Sequence, residues 1–391
     1  MKYLPLFYLM KNAKKARTNY MSKKKYVAYV GTYTHGKSKG IHIYDLDVEK
    51  GTLTERKEVP ASNSSHLCCS LNGRFLYSII DAGVGVYEIM PDGDLKFINK
   101  KDIDGMRGRF LSVDRTGKYL FIGGYHDGKV TVMHTHRDGR LGSIMDGVFH
   151  KGIGTFAERN SRPHVTCVVP TPDNHFLCAV DNGIDQIKIY RITEENKLEL
   201  ADTLRCKRES APSLLGFSPN GRNAYILSQL DNSVEVYSYE YPDGASSPKF
   251  EKLQSISTIS DELDPIHDAA AGMCFSPDGK YLFASTAGDN TLSMFSINEE
   301  TGTLTKDFSL PISGEYPKDM AVFPDGKHIA VINNESGSIT TFKINYKKKI
   351  ITMSGKPLKI DTPSCIHIFE LPEASEEQGT IVKKPQVAAN L

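Results

Sequence analysis

Short apolar runs alternate with polar turns along the whole chain, and the same phrase returns at regular distances. The stretch FSPDGKYLFAS (275–285) shows the unit: the end of an apolar strand, a Pro-Asp-Gly turn, then an alternating aromatic run. Five further copies occur: CSLNGRFLYSI (69–79), SVDRTGKYLFIG (112–123), VPTPDNHFLCAV (169–180) and FSPNGRNAYIL (217–227) before it, and VFPDGKHIAVI (322–332) after it. Their turn residues, Gly73, Gly117, Asn174, Gly221, Gly279 and Gly326, lie 44 to 58 residues apart. That spacing brackets the period of about 40–50 residues of propeller blades, the longer intervals carrying inserted loops. Glycine and asparagine tolerate positive φ, so each copy predicts a tight hairpin.

A third strand with period-two alternation follows each hairpin. These are GVGVYEI (83–89), KVTVMHT (129–135), QIKIYRI (186–192), SVEVYSY (233–239), TLSMFSI (291–297) and SITTFKI (338–344), with a seventh, GIHIYDLD (40–47), ahead of the first hairpin. Polar turns and short apolar stretches after most of them, such as GTLTERKEV and NKLELADTL, supply a fourth, edge strand. The seventh unit begins with KYVAYVGTYT (25–34) and lacks an inner strand, which SCIHIFEL (364–371) provides from the other end of the chain. The pattern therefore predicts an all-β fold, a seven-bladed β-propeller of four-stranded antiparallel blades closed by pairing of the N- and C-terminal strands. Closure removes an open flank of unpaired backbone groups. The repeated turns are turn chemistry and the aromatics after them inter-blade packing, so neither speaks of substrate.

Length leaves the number of domains open, at 391 residues, until the repeat assigns 25–371 to one propeller. Residues 1–24 are expected to be a disordered basic extension and 372–391 a polar C-terminal tail. The basic cluster of the N-terminal segment follows its apolar residues, the reverse of a signal peptide, and no apolar run approaches the ~20 residues of a membrane span. Forty-eight basic against 47 acidic residues leave a net charge of +1, which disfavours nucleic acid and anionic membrane as partners. Seven cysteines without a Cys-x-x-Cys pair, most of them inside apolar runs, read as reduced core residues and point to the cytoplasm. A monomer or weak homo-oligomer is expected.

Chemistry in a propeller concentrates at the central channel, where inner strands begin and second strands end. Those positions bring in His66, Arg109, Arg162, His164 and Lys318, with Tyr125, Asp181, Gln229 and Asn333. Arg162, His164, Asp181 and Asp185 fall within one blade. An imidazole near a carboxylate serves as a general base with its tautomer fixed, and guanidinium holds phosphate or carboxylate through two hydrogen bonds. His164 and Asp181 are thus the candidate catalytic pair. Arg162, Arg109, Lys318, His66, Tyr125, Gln229 and Asn333 are candidate contacts to a small anionic ligand. His134 and His136 share a strand face without a third metal ligand, DNGIDQ lacks the oxygen ligands of a calcium loop, and no Gly-x-Ser-x-Gly or phosphate loop occurs. No metal and no cofactor is expected.

In this order, YVGTYT, VDRTGKYLFIGGYHDGKVTV, RPHVTCVVPTPD with VDNGIDQI, FSPNGRNAYILSQLDNSVEVY, FSPDGKYLFASTAGDNTLSMF and YPKDMAVFPDGKHIAVINNESGSITTF resemble the seven-bladed propeller lactonase family from about Lys25 to Leu371. The resemblance implies hydrolysis of a sugar-acid lactone, as in 6-phosphogluconolactonase, with a place in carbohydrate metabolism and the pentose phosphate pathway. His164, Asp181 and Asp185 match the family pattern. Its usual Arg-His and Asn-Glu are here Ser213-Leu214 and Ser228-Gln229. Gly272, Cys274 and Ala287 replace an acid, a His and an Arg; Phe110 replaces a His, Gln186 an Arg, and Lys318 an Arg. The alternative is therefore a propeller without catalysis that binds a sugar acid, a peptide or another protein.

Overall fold

The computed structural model describes residues 24–154, 162–260 and 267–372. The expected extension and tail fall, apart from Lys24 and Pro372, outside these residues. The described chain contains strands and turns but no α-helix, hence no helix able to cross a membrane.

Seven antiparallel sheets surround one axis. Blade 1 pairs Pro363–Glu370, Tyr26–Thr32, Gly40–Asp47 and Thr52–Pro60 in that order, from channel to rim. The inner strands of blades 2 to 7 are Leu67–Cys69, Phe110–Val113, Val165–Pro170, Pro212–Phe217, Ala269–Phe275 and Pro317–Val322. All seven predicted third strands begin where the alternation begins, at Gly40, Gly83, Lys129, Gln186, Ser233, Thr291 and Ser338. Blade 7 alone splits its outer strand, Ile350–Met353 and Leu358–Lys359 both pairing with Ser338–Asn345.

The chain ends close the ring as expected. Tyr29 lies opposite His367 and Val30 opposite Ile366 in continuous antiparallel register. Leu371 N–H donates to the Lys25 carbonyl (2.9 Å).

The recurrent turn has a physical explanation at Ser276–Tyr281. Gly279 adopts φ +69 and donates its N–H to the Ser276 carbonyl. Asp278 accepts from the Ser276 hydroxyl (2.6 Å) and the Lys280 N–H (3.1 Å), and Ser276 Oγ accepts the Tyr281 N–H (3.0 Å). The same bonds recur at Ser218–Asn220 and Ser70–Asn72. The short polar side chain therefore satisfies the backbone of an exposed bend while the Ser276 side of the turn stays buried.

Aromatic residues beyond the turn fill the inter-blade seams. Tyr225 meets Phe275 edge-on at 5.4 Å, and Phe283 and Phe295 are wholly buried. Each buried aromatic contributes about 2–3 kcal/mol by leaving water. All seven cysteines are free thiols, five of them buried. Burial pushes the Cys68 and Cys365 thiols up to about 12, so they are inert at neutral pH.

Candidate functional site

Near their starts, four inner strands carry a bulge that leaves one residue out of the ladder: Ser364, Thr166, Ser213 and Lys318 in blades 1, 4, 5 and 7. A bulge re-aims a side chain without disturbing the sheet around it, so chemistry varies here while the blade stays constant. In blade 5, Ser213 uses its hydroxyl on the Leu227 carbonyl (3.2 Å). In blade 7 the same position projects the Lys318 ammonium, which donates to Tyr33 Oη (3.0 Å) and lies 4.4 Å from the centre of that ring.

Tyr33 directly follows the second strand of blade 1. Its backbone is clamped on both sides by Thr362: Tyr33 N–H donates to the Thr362 carbonyl (3.1 Å) and Thr362 Oγ1 donates to the Tyr33 carbonyl (2.8 Å). The Arg107 guanidinium lies 5.4 Å from the ring centre. Burial opposes ionisation of this phenol, but Lys318 and Arg109 outweigh it and hold the phenol below its ordinary value. Lys318 is itself held below its ordinary value, by burial and then by Arg109.

Arg109 is the electrostatic hub of the channel. Its charge acts on Tyr33, His66, Tyr316, Lys318 and Asp319, yet among the described residues its guanidinium has no ion pair or hydrogen bond. An unpaired guanidinium whose charge acts on an ammonium is unfavourable unless an anion joins them, so the arrangement is suited to a carboxylate or phosphate.

Deeper on the axis, a cavity of about 30 Å³ is lined by His66, Asp319, Cys274, Cys365 and His367 among others. His66 Nδ1 accepts the Leu111 N–H (3.2 Å), which puts its proton on Nε2, and its ring packs on Phe110 at 4.2 Å. Burial first, then Arg109 and His367, lower His66 to about 3; burial lowers His367 to about 4. Asp319 accepts N–H bonds from Met320 and from Ile366 of blade 1 (2.8 Å each), and burial raises it to about 6. Its carboxylate thus fastens blade 7 to the closing strand.

His164 is 8% exposed and stacks on Tyr125 at 4.3 Å. Its Nδ1 donates to the Tyr125 carbonyl (2.6 Å), so Nε2 holds the lone pair, without a partner among the described residues. The expected His164–Asp181 pair does not form. Asp181 is 0% exposed; its Oδ1 accepts the backbone N–H groups of His164 (2.8 Å) and Gly183 (3.0 Å), and its Oδ2 faces His150 Nδ1 at 2.6 Å. Asn333 is corrected on the same ground: it is 0% exposed and bonds Ser338 and Thr340 within its own blade. Both residues end a second strand, at the position filled elsewhere by Thr32, Ser228 and Thr286, and this position points into the sheet stack. The next residue is the one that reaches the channel mouth: Tyr33 in blade 1, Gln229 in blade 5.

Gln229 is half-buried and accepts from Asn182 Nδ2 (3.2 Å). Arg162 is exposed, acts on His126 and makes no hydrogen bond among the described residues. The sequence reading missed Tyr33, Arg107, Tyr316, His150 and His367. Tyr33 stood in the quoted YVGTYT, and the alternation of SCIHIFEL put His367 on the face of Cys365.

A larger cavity, about 390 Å³, opens off-axis between blades 2 and 3. Its wall sets Asp81, Asp102 and Asp104 against Arg107, which is already 3.4 Å from Asp81. Three carboxylates repel an anion, so the channel mouth, although smaller, is the better anion site.

A seven-bladed propeller with a cationic, tyrosine-lined channel mouth defines the class of protein. The chain matches the family described as lactonase, 7-bladed beta-propeller, over residues 27–368, and belongs to it. It is 30% identical over 348 residues to the 6-phosphogluconolactonase of Bacillus subtilis (strain 168), covering 88% of this chain and 98% of the relative. It is 27% identical over 356 residues to a 6-phosphogluconolactonase of Formosa agariphila, covering 87% and 99%. Among solved structures, the periplasmic gluconolactonase of Pseudomonas aeruginosa superposes with a TM-score of 0.83 at 26% identity, over 89% of this chain and all of that one.

Proposed function

We propose that the protein hydrolyses a sugar-acid lactone carrying a second anionic group, of the 6-phosphogluconolactone type. The observation that carries this reading is the unpaired Arg109 guanidinium, set electrostatically beside Lys318 in a channel of the lactonase fold. These two cations hold the phosphate or carboxylate and stabilise the oxyanion that forms when the carbonyl is attacked. His164, with its tautomer fixed by the Tyr125 carbonyl, supplies Nε2 to take a proton from the attacking water. Tyr125 and Gln229 line the same mouth.

A binding-only reading is favoured by the state of two channel carboxylates: both oxygens of Asp319 are taken by backbone N–H groups and Asp181 is sealed, so neither is a free base. Kinetics separate the two readings. The purified protein is expected to open 6-phosphogluconolactone faster than the spontaneous rate, and His164→Gln to lower kcat about 100-fold. A spontaneous rate unchanged by the protein refutes the hydrolase.

A further inference from the structure

Nothing in the hydrolysis so far protonates the ring oxygen that leaves when the lactone opens. An alkoxide expelled without a proton is a poor leaving group, and the group that protonates it needs a proton it gives up readily and a rapid way to recover it. Tyr33 and Lys318 meet both needs by geometry. The phenol oxygen is 3.0 Å from the Lys318 ammonium, and the Tyr33 backbone is fixed by two bonds to Thr362, one to each of its polar groups.

Resting on the lactone reading, we propose that Tyr33 is the proton donor to the departing ring oxygen and that Lys318 recharges it. His164 Nε2 takes one proton of water as the remaining hydroxide bonds to the carbonyl carbon. The tetrahedral adduct collapses, the acyl carbon–ring oxygen bond breaks, and the Tyr33 O–H proton passes to the oxygen. The Tyr33 phenolate then takes a proton from Lys318, which regains one from solvent. The imidazolium and the new carboxylic acid each release a proton, so the sum is lactone plus water giving hydroxy-acid anion plus one proton.

The surroundings of Tyr33 favour this role over a packing one. Facing it are Lys318 from blade 7, Arg107 and Arg109 from the segment entering blade 3, Tyr316, the Ser364 hydroxyl of the closing strand, and His35 stacked at 5.8 Å. Arg107 is paired with Asp81 at 3.4 Å, but Lys318 and Arg109 hold the phenol below its ordinary value despite burial. Lys318 acts through Tyr33 and is a positioning residue in this step. The phenol lies in YVGTYT, whose apolar alternation conceals it as one more strand aromatic.

The test compares wild type with Tyr33→Phe, Lys318→Met and Lys318→Arg, using 6-phosphogluconolactone across pH and an ultraviolet titration of tyrosinate. Tyr33→Phe is expected to lower kcat about 100-fold with KM within about threefold, to abolish the alkaline limb of the kcat profile, and to remove the tyrosinate transition lowest in pH. Lys318→Met shifts that transition upward, while Lys318→Arg, which keeps the charge, leaves it low. Wild-type kcat in Tyr33→Phe, or an alkaline limb that survives there, overturns the proton-donor role while the lactone reading stands. A wild type that does not outpace spontaneous opening overturns the lactone reading and the step with it.

Discussion

Blades 7, 1, 2 and 3 bring Lys318, Tyr33, His66 and Arg109 to the channel, whereas blades 5 and 6 offer Ser213, Gln229, Gly272 and Ala287 at comparable turns. The backbones of the two arcs are alike, down to the bulge that displaces Lys318 in one and Ser213 in the other. What differs is whether the side chain reaches outward. Ser213 turns back onto the Leu227 carbonyl, while Lys318 extends to the Tyr33 phenol. The charged arc surrounds the chain closure, so the site is assembled from the first strand, the last inner strand and blades that follow and precede them. In this chain the neutral arc carries Ser213-Leu214 and Ser228-Gln229, and the cations Lys318 and Arg109 lie on the other arc.

Four substitutions probe that contrast, in order of expected effect. Arg109→Met removes the one guanidinium at the hub; with two charge-assisted hydrogen bonds to an anion lost, kcat/KM falls about a thousandfold, roughly 4 kcal/mol. Steady-state kinetics check it, and a change below about tenfold dissolves the distinction between the arcs.

Next comes the half-buried cluster under the charged arc. His66 and His367 are depressed from the usual histidine range to about 3 and about 4, so they bind fewer protons folded than unfolded. Their contribution to stability is full above about pH 6.5 and is lost as pH falls toward these values. Asp319, raised to about 6, works in the opposite sense: its contribution is present below about pH 4 and lost as pH rises through 6. His66→Gln should therefore flatten the fall in unfolding free energy between pH 6 and 4 by about 1.4 kcal/mol per pH unit, as measured by urea unfolding. Parallel curves for the two proteins would show that His66 titrates normally.

Asp181→Asn separates support from catalysis. Asparagine keeps an acceptor for the His164 and Gly183 N–H groups but disturbs the bond to His150, so stability falls about 1 kcal/mol while kcat stays within threefold. A triad-type role would instead lower kcat about 10⁴-fold. The smallest effect is that of Ser213→Ala, whose hydroxyl serves only its own blade: kcat and KM remain within twofold. A loss comparable to that of Arg109→Met would make the neutral arc part of the site.

The propeller was legible because its determinants are local. Turn chemistry at Asp278 and Gly279, alternation in the third strands, and two half-blades at the chain ends depend only on near neighbours or on a strand that lacks a partner. Site residues depend on direction, which a one-residue shift reverses. Position 181 and position 182 differ by one step and both are buried, yet the first holds the His164 and Gly183 N–H groups and His150 while the second reaches Ala211 and Gln229 of blade 5. Arg109, Lys318, His66 and Tyr125 were proposed from sequence because charge and aromaticity at an inner-strand start or after a second strand stand out, and the structure sets them along the channel. Asp181 and Asn333 were misassigned because a polar residue at the end of a second strand looks alike whether it satisfies a buried turn or meets a ligand. Tyr33 was hidden by the opposite accident, an aromatic in a run of aromatics whose use is set by Lys318, 285 positions away in sequence.

A crystal structure with 6-phosphogluconate bound would test the central claim most directly. The account predicts an anionic group of the ligand within about 3 Å of the Arg109 guanidinium and on the Lys318 side of the axis. Ligand seated against Ser213 and Ala287, or in the acidic rim cavity between blades 2 and 3, would contradict it.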